Sequence, residues 1–158
     1  MKMLIDGWGT NLRFSAAHFI PDLGKCSRLH GHDYAVSIEI IGEPENGVLI
    51  DYGVVKKFIR NLLEYYDHRI LVPKINSFSE QNTQGDEVLI KWSGKTLSVP
   101  LGDVAFIDSD VSSSENLSRV MSKEVATLLM PYKNLAELTL TVYEGPAQAS
   151  SSTVKIHD

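Results

Sequence analysis

Two incompatible hydrophobic periods follow one another in the first half of the chain. Residues 32–41, HDYAVSIEII, alternate so that His32, Tyr34, Val36, Ile38 and Ile40 share one side, the period of a strand with one buried face. From Asp51 the period changes. Val54, Val55, Phe58, Ile59, Leu62 and Leu63 recur at helical spacing through Tyr66, and Asp51 is placed to cap that helix. Between them, GEPENG at 42–47 is turn chemistry, and VLIDY reads as a further short strand. A chain that switches period in this way needs a sheet whose apolar face is covered by helices.

The remaining segments extend the pattern. TNLRFSAAH at 10–18 places Leu12, Phe14, Ala16 and His18 on one face. INSFSEQNTQG is polar and reads as a loop. DEVLIKW, SGK and TLSVPLGDVAFID then suggest a hairpin followed by another short strand. A second helix is expected at SSSEN, where Ser112 lies three residues before Glu115 in capping-box spacing. Leu117, Val120, Met121, Val125, Leu128 and Leu129 form its apolar stripe, and Pro131 lies just past its end. Finally LAELTLTVYEG alternates, with Leu138, Leu140, Val142 and Glu144 on one face. Strands joined by short turns pair antiparallel. The expectation is therefore an α+β fold: a single domain over 1–158, an antiparallel sheet, two helices, and a β-rich insert at about 73–110.

Charge and cysteine usage narrow the function classes. A net charge of −5 argues against nucleic acid as the main partner, because phosphate contacts need basic patches. One cysteine cannot form an intramolecular disulfide, which suits a reducing cytoplasm. The opening residues lack the apolar core of a signal peptide, and no run is long enough to span a membrane. The chain reads as soluble and cytoplasmic.

The chemistry-bearing residues concentrate in CSRLHGHDY, residues 26–34. Side chains two apart on a strand point the same way, so His30 and His32 can share one ion, with His18 approaching from a neighbouring strand. Three neutral imidazoles leave one tetrahedral position open, the arrangement of a catalytic zinc site. Unrelated polar residues at strand ends are the competing reading. Cys26, flanked by Lys25 and Arg28, is either a small buried hydrophobe or a thiol whose thiolate is stabilised. Asp67 beside His68 suits a general acid or base, although adjacent residues on a helix do not face each other. Glu144 has the parity of the apolar face, where a ligand with two adjacent N–H groups would satisfy both its oxygens; a strand-end glutamate turning to solvent is the alternative. Glu115 and Asp51 are accounted for as helix caps.

Six motifs in order resemble the 6-pyruvoyltetrahydropterin synthase / 6-carboxytetrahydropterin synthase family. They are FSAAH, CSRLHGHDY, GVLIDYGVVK, YDHRIL, SSSENL and TVYEG, covering residues 10–72 and 111–145. The resemblance implies zinc on His18, His30 and His32, Cys26 as catalytic base, and Asp67 and His68 as further proton-transfer residues. It implies that Glu144 anchors a pterin ring, with Ser113, Ser114 and Glu115 lining the same pocket. It also implies the tunnelling fold, a four-stranded sheet with two helices on one face. Such sheets close into rings between subunits, and two rings stack as a hexamer with active sites between subunits. Three departures stand out: Ser113 in place of threonine, Gly145-Pro146 after the final glutamate, and the insert, which resembles that of longer archaeal members.

The implied substrate is 7,8-dihydroneopterin triphosphate. One branch eliminates triphosphate to give 6-pyruvoyltetrahydropterin. The other also releases acetaldehyde and gives 6-carboxytetrahydropterin, on the route to 7-deazaguanine nucleosides. Three residues separate Cys26 from His30, which matches the carboxy-forming branch. A relative that holds zinc and pterin without turnover is the alternative from another class; retention of Cys26, Asp67, His68 and Glu144 together argues against it.

Overall fold

The sheet is organised around one long strand. In the computed structural model, which describes residues 1–157, the alternation after Arg28 becomes β3 (His30–Gly42). Its first half pairs antiparallel with β2 (Arg13–His18), and its second half with β1 (Lys2–Ile5). On its other side lies β9 (Leu135–Glu144), followed by β10 (Ala149–Lys155). Beyond β2 the sheet continues through β4 (Arg69–Pro73) to β8 (Val104–Ile107). Between β4 and β8 runs a separate three-stranded meander of β5 (Ser79–Gln84), β6 (Glu87–Trp92) and β7 (Lys95–Pro100).

Helix α1 (Tyr52–Tyr66) starts where the period changes, and the Asp51 carboxylate accepts from the Gly53 and Val54 N–H groups. Helix α2 (Ser114–Leu129) supplies Leu117, Met121, Val125 and Leu129. These meet Val55, Ile59, Leu63 and Tyr66 of α1 and the inward residues of β1, β2, β3 and β9 in one core. A second, smaller cluster joins Phe19 and Val72 to Val88, Ile90 and Trp92 of β6 and to Val104. No helix among the described residues is long and apolar enough to cross a membrane.

Several expectations are corrected. The sheet has seven strands and is mixed, not four-stranded and antiparallel: β2–β4 and β4–β8 pair in parallel. The short-turn argument holds only for neighbours in sequence. A helix separates β3 from β4 and the meander separates β4 from β8, so the chain can return to the same end of the sheet. VLIDY is no strand; beyond a lone bridge between Glu45 and Val48, its Leu49 and Ile50 are apolar because they fill the core. The polar INSFSEQNTQG contains β5, whose backbone pairs with β6 while its side chains stay mostly exposed. The cap of α2 is Ser113, which accepts from the Asn116 N–H at 3.4 Å. Ser112 is instead buried and donates to the Phe19 carbonyl at 3.1 Å. Leu128 faces outward from α2.

Candidate functional site

The antiparallel register of β2 and β3 sets His18 opposite His30 and Ala16 opposite His32. All three histidines therefore project from one face, and one ring nitrogen from each lies within 4.8 Å of the others. Gly31 keeps the two strands close on the opposite face, where a Cβ would come 3.1 Å from the Ala16 carbonyl oxygen.

Backbone carbonyls orient two of the rings. The Nδ1 of His18 lies 2.7 Å from the Ser112 carbonyl, and that of His30 lies 2.7 Å from the Arg28 carbonyl. A carbonyl can only accept, so each Nδ1 carries the proton and each neutral ring keeps its lone pair on Nε2. Those two Nε2 atoms stand 3.1 Å apart. Two lone pairs at that distance repel unless a proton or a cation sits with them. A convergent, all-imidazole donor set of this kind, with His18 buried and His30 and His32 half-buried, fits a zinc ion.

Burial drives the His18 pKa down to about 4, helped by His30 and His32 and opposed by the Ser112 carbonyl. His32 is lowered too, by burial and then by His30. Burial thus favours the neutral, metal-binding form of His18 and His32. A folded-state His18 pKa below the unfolded value means that the unfolded chain binds more protons between pH 6.5 and about 4. Stability of the metal-free protein should therefore fall on acidification through that window, by on the order of 3 kcal/mol from this group. Urea denaturation of chelator-treated protein at pH 7 and pH 5 would register about 2 kcal/mol of it, because the window extends below pH 5. A flat profile would show that the ring is not held neutral.

Glu144 ends β9 beside this cluster, paired with Tyr34, its Oε1 3.9 Å from His18 Nε2. Burial raises its pKa, and the Glu115 charge raises it further; His30 and the Ser114 N–H pull the other way. Ser114 is buried, and its hydroxyl meets that of Ser150 on β10 at 3.1 Å. Tyr34 stacks on Phe14 at 4.7 Å and sits edge-on to His32 at 5.5 Å. Among the described residues its buried hydroxyl has no hydrogen-bond partner, and burial and Glu144 hold its phenol protonated.

Asp67 and His68 form a second group. They lie past the end of α1, where His68 adopts a left-handed φ of 58°. That conformation lets adjacent side chains meet, as a helix would not: His68 Nδ1 is 2.8 Å from Asp67 Oδ2. The other Asp67 oxygen accepts from the Ser15 N–H at 2.9 Å. Burial opposes ionisation of Asp67, but the Ser15 N–H and His68 together outweigh it and hold its carboxyl low. His68 is largely exposed, and with His32, Asp33 and Arg69 it lines an open cleft of about 600 Å³.

Cys26 lies on a short 3-10 turn, Gly24–Ser27, and is exposed. The chain thus gathers His18, His30, His32 and Glu144 at one point, joins Asp67 to His68 at another, and leaves Cys26 on the turn leading into β3. Ser114 and Glu115 act on Glu144, and the Ser113 hydroxyl accepts from the Asn116 N–H as the cap of α2. Three further residues, Ser112, Arg28 and Tyr34, contribute to the site. The carbonyls of Ser112 and Arg28 leave no signature, since any residue offers one. Tyr34 did leave one, because it shares the parity of His30 and His32.

The family model described as 6-pyruvoyl tetrahydropterin synthase matches residues 9–153. A Pyrococcus abyssi protein named as a candidate 6-carboxy-5,6,7,8-tetrahydropterin synthase is 32% identical over 149 residues, 90% of this chain and 87% of that one. The 6-carboxy-5,6,7,8-tetrahydropterin synthase of Bacillus subtilis is 42% identical over 65 residues, 39% of this chain and 42% of that one. The crystal structure of Plasmodium vivax 6-pyruvoyl tetrahydropterin synthase superposes with a TM-score of 0.90 at 24% identity, covering 98% of each chain. That last likeness is one of fold.

Proposed function

The chain belongs to the 6-pyruvoyl tetrahydropterin synthase family, and from that premise we propose that it is a zinc-dependent lyase making 6-carboxy-5,6,7,8-tetrahydropterin. Its substrate in this reading is 7,8-dihydroneopterin triphosphate, which with one water yields the product, acetaldehyde and triphosphate. The observation that carries the reading is the convergence of His18, His30 and His32 beside the half-buried carboxylate of Glu144. The names of the Pyrococcus and Bacillus relatives and the short gap between Cys26 and His30 favour the carboxy product.

His18, His30 and His32 would hold the zinc. Bound there, zinc supplies Lewis-acid chemistry toward oxygens of the substrate side chain. Glu144 accepts from the pterin amino group and ring N–H with its two oxygens, which orients the ring and repays the cost of burying the carboxylate. Ser114 and Glu115 tune that carboxylate. Cys26, once a thiolate, takes a proton from the side chain. Asp67 fixes the ring orientation of His68 through the Nδ1–Oδ2 contact, so that His68 is placed to return a proton. The product would feed 7-deazaguanine synthesis in the cytoplasm. The unpaired edges β10 and β8 suit closure against other copies, as a trimeric ring or a hexamer with sites between subunits.

The experiment incubates zinc-loaded protein with dihydroneopterin triphosphate and assays acetaldehyde beside both pterin products. Acetaldehyde and the carboxy product in equal amounts are expected. Triphosphate release with 6-pyruvoyltetrahydropterin and no acetaldehyde would move the chain to the other branch. No product of either kind would sink the enzyme assignment for this substrate.

A further inference from the structure

The meander between β4 and β8 reaches the turn that carries Cys26. Trp92 at the end of β6 and Lys95 at the start of β7 flank the hairpin turn, and both donate to Ser27. The Trp92 indole N–H lies 2.7 Å from the Ser27 carbonyl oxygen. The Lys95 ammonium lies 3.0 Å from the same oxygen and 3.1 Å from the Ser27 hydroxyl. Ser93, in the turn itself, donates to the Asp22 carboxylate at 2.7 Å and accepts from the Asp22 N–H at 2.9 Å. Below them the Trp92 ring stacks on Phe19, centroids 4.1 Å apart.

Locally the segment is held by backbone bonds alone: the Cys26 carbonyl accepts from the Ile20 N–H at 2.8 Å and the Cys26 N–H donates to the Leu23 carbonyl at 2.9 Å. Its 3-10 turn buries no residue. A short turn without a buried face is marginal by itself, so its position is set by whatever it docks against. The hairpin supplies that dock before the turn, at Phe19 and Asp22, and after it, at Ser27. Ser27 stands between Cys26 and Arg28, and the Arg28 carbonyl orients His30. Two donors on the Ser27 carbonyl fix the Ser27–Arg28 peptide, which joins the thiol residue's neighbour to the residue that steers His30.

We infer that the β6–β7 hairpin is a positioning element of the active site, in which Trp92 and Lys95 set where Cys26 stands relative to the histidine centre. The insert is then part of the catalytic geometry and not a cover over the cleft. This rests on the reading of Cys26 as a proton-transfer residue, since a misplacement of about 1 Å in such a group costs on the order of 100-fold in rate.

Trp92→Phe keeps the ring on Phe19 and removes the N–H; Lys95→Met keeps the stem and removes the ammonium. In each variant the expected results are a fall in kcat of roughly 10-fold, KM within about twofold, and an unchanged zinc content. The rate of iodoacetamide alkylation of Cys26, the chain's only thiol, should differ from the parent's by at least about threefold in each variant at every pH from about 6 to 9. Lys95→Arg, which restores a donor and a charge, should return that rate toward the parent. A lowered thermal midpoint with alkylation and kcat unchanged in both variants would overturn the inference. The alkylation comparison needs no turnover. It therefore decides the positioning role even if the parent fails to make either pterin product, an outcome that would count against the proposed activity alone.

Discussion

Replacing Cys26 with alanine is expected to lower kcat roughly 10²- to 10⁴-fold, the usual contribution of a positioned proton-transfer group. The same variant should keep its zinc and its stability. The thiol is not one of the three convergent ligands, and it is exposed on a turn that buries nothing. Surface changes of that kind shift stability by about 0.5 kcal/mol or less. Steady-state kinetics beside metal analysis and a thermal melt would separate the cases. Lost turnover with full zinc content supports the role given to Cys26. A variant that turns over like the parent would remove it from the mechanism.

The other large effect concerns the metal. His32→Ala leaves two imidazoles where three converge, and turnover should drop below about 1% of the parent as zinc is lost. Stability offers a second readout. A ligand that binds only the folded state stabilises it by about 4 kcal/mol at a thousandfold excess over its Kd. The zinc-loaded parent should therefore melt well above its chelator-treated form, and His32→Ala should melt alike with and without chelator. His32 is only half-buried, so the variant's melting point should stay close to that of the metal-free parent. A chelator-insensitive parent would mean that the three histidines hold no stabilising metal in solution. An inactive variant that keeps its zinc would assign the ion to other ligands.

Legibility in the sequence followed the physics of burial. The long strand, α1 with its Asp51 cap, and the face shared by His18, His30 and His32 all rest on side-chain periodicity, which burial on one face imposes. The polar strands did not carry that signal. In β5 and β10 the side chains are mostly exposed, so no apolar alternation marks them, and β10 is held partly by hydroxyl pairs such as Thr139–Thr153 and Thr141–Ser151. VLIDY misled for the opposite reason, since its apolar residues fill the core without pairing. Asp67 and His68 are adjacent in the sequence, but their contact depends on a left-handed residue after the helix, which no side-chain pattern announces. The contacts of Trp92 and Lys95 with Ser27 join positions far apart in the chain and were invisible for that reason.

The meander also obeys a rule of arithmetic. Strands β4 and β8 run the same way, so whatever links them must deliver the chain to the end of the sheet opposite the one it left. Each antiparallel strand reverses travel, and three of them leave the exit opposite the entrance. An odd number of strands can thus stand in for a crossover helix. Protein engineers could trim or extend this link two strands at a time and keep the parallel pair; removing a single strand would bring β8 in backwards.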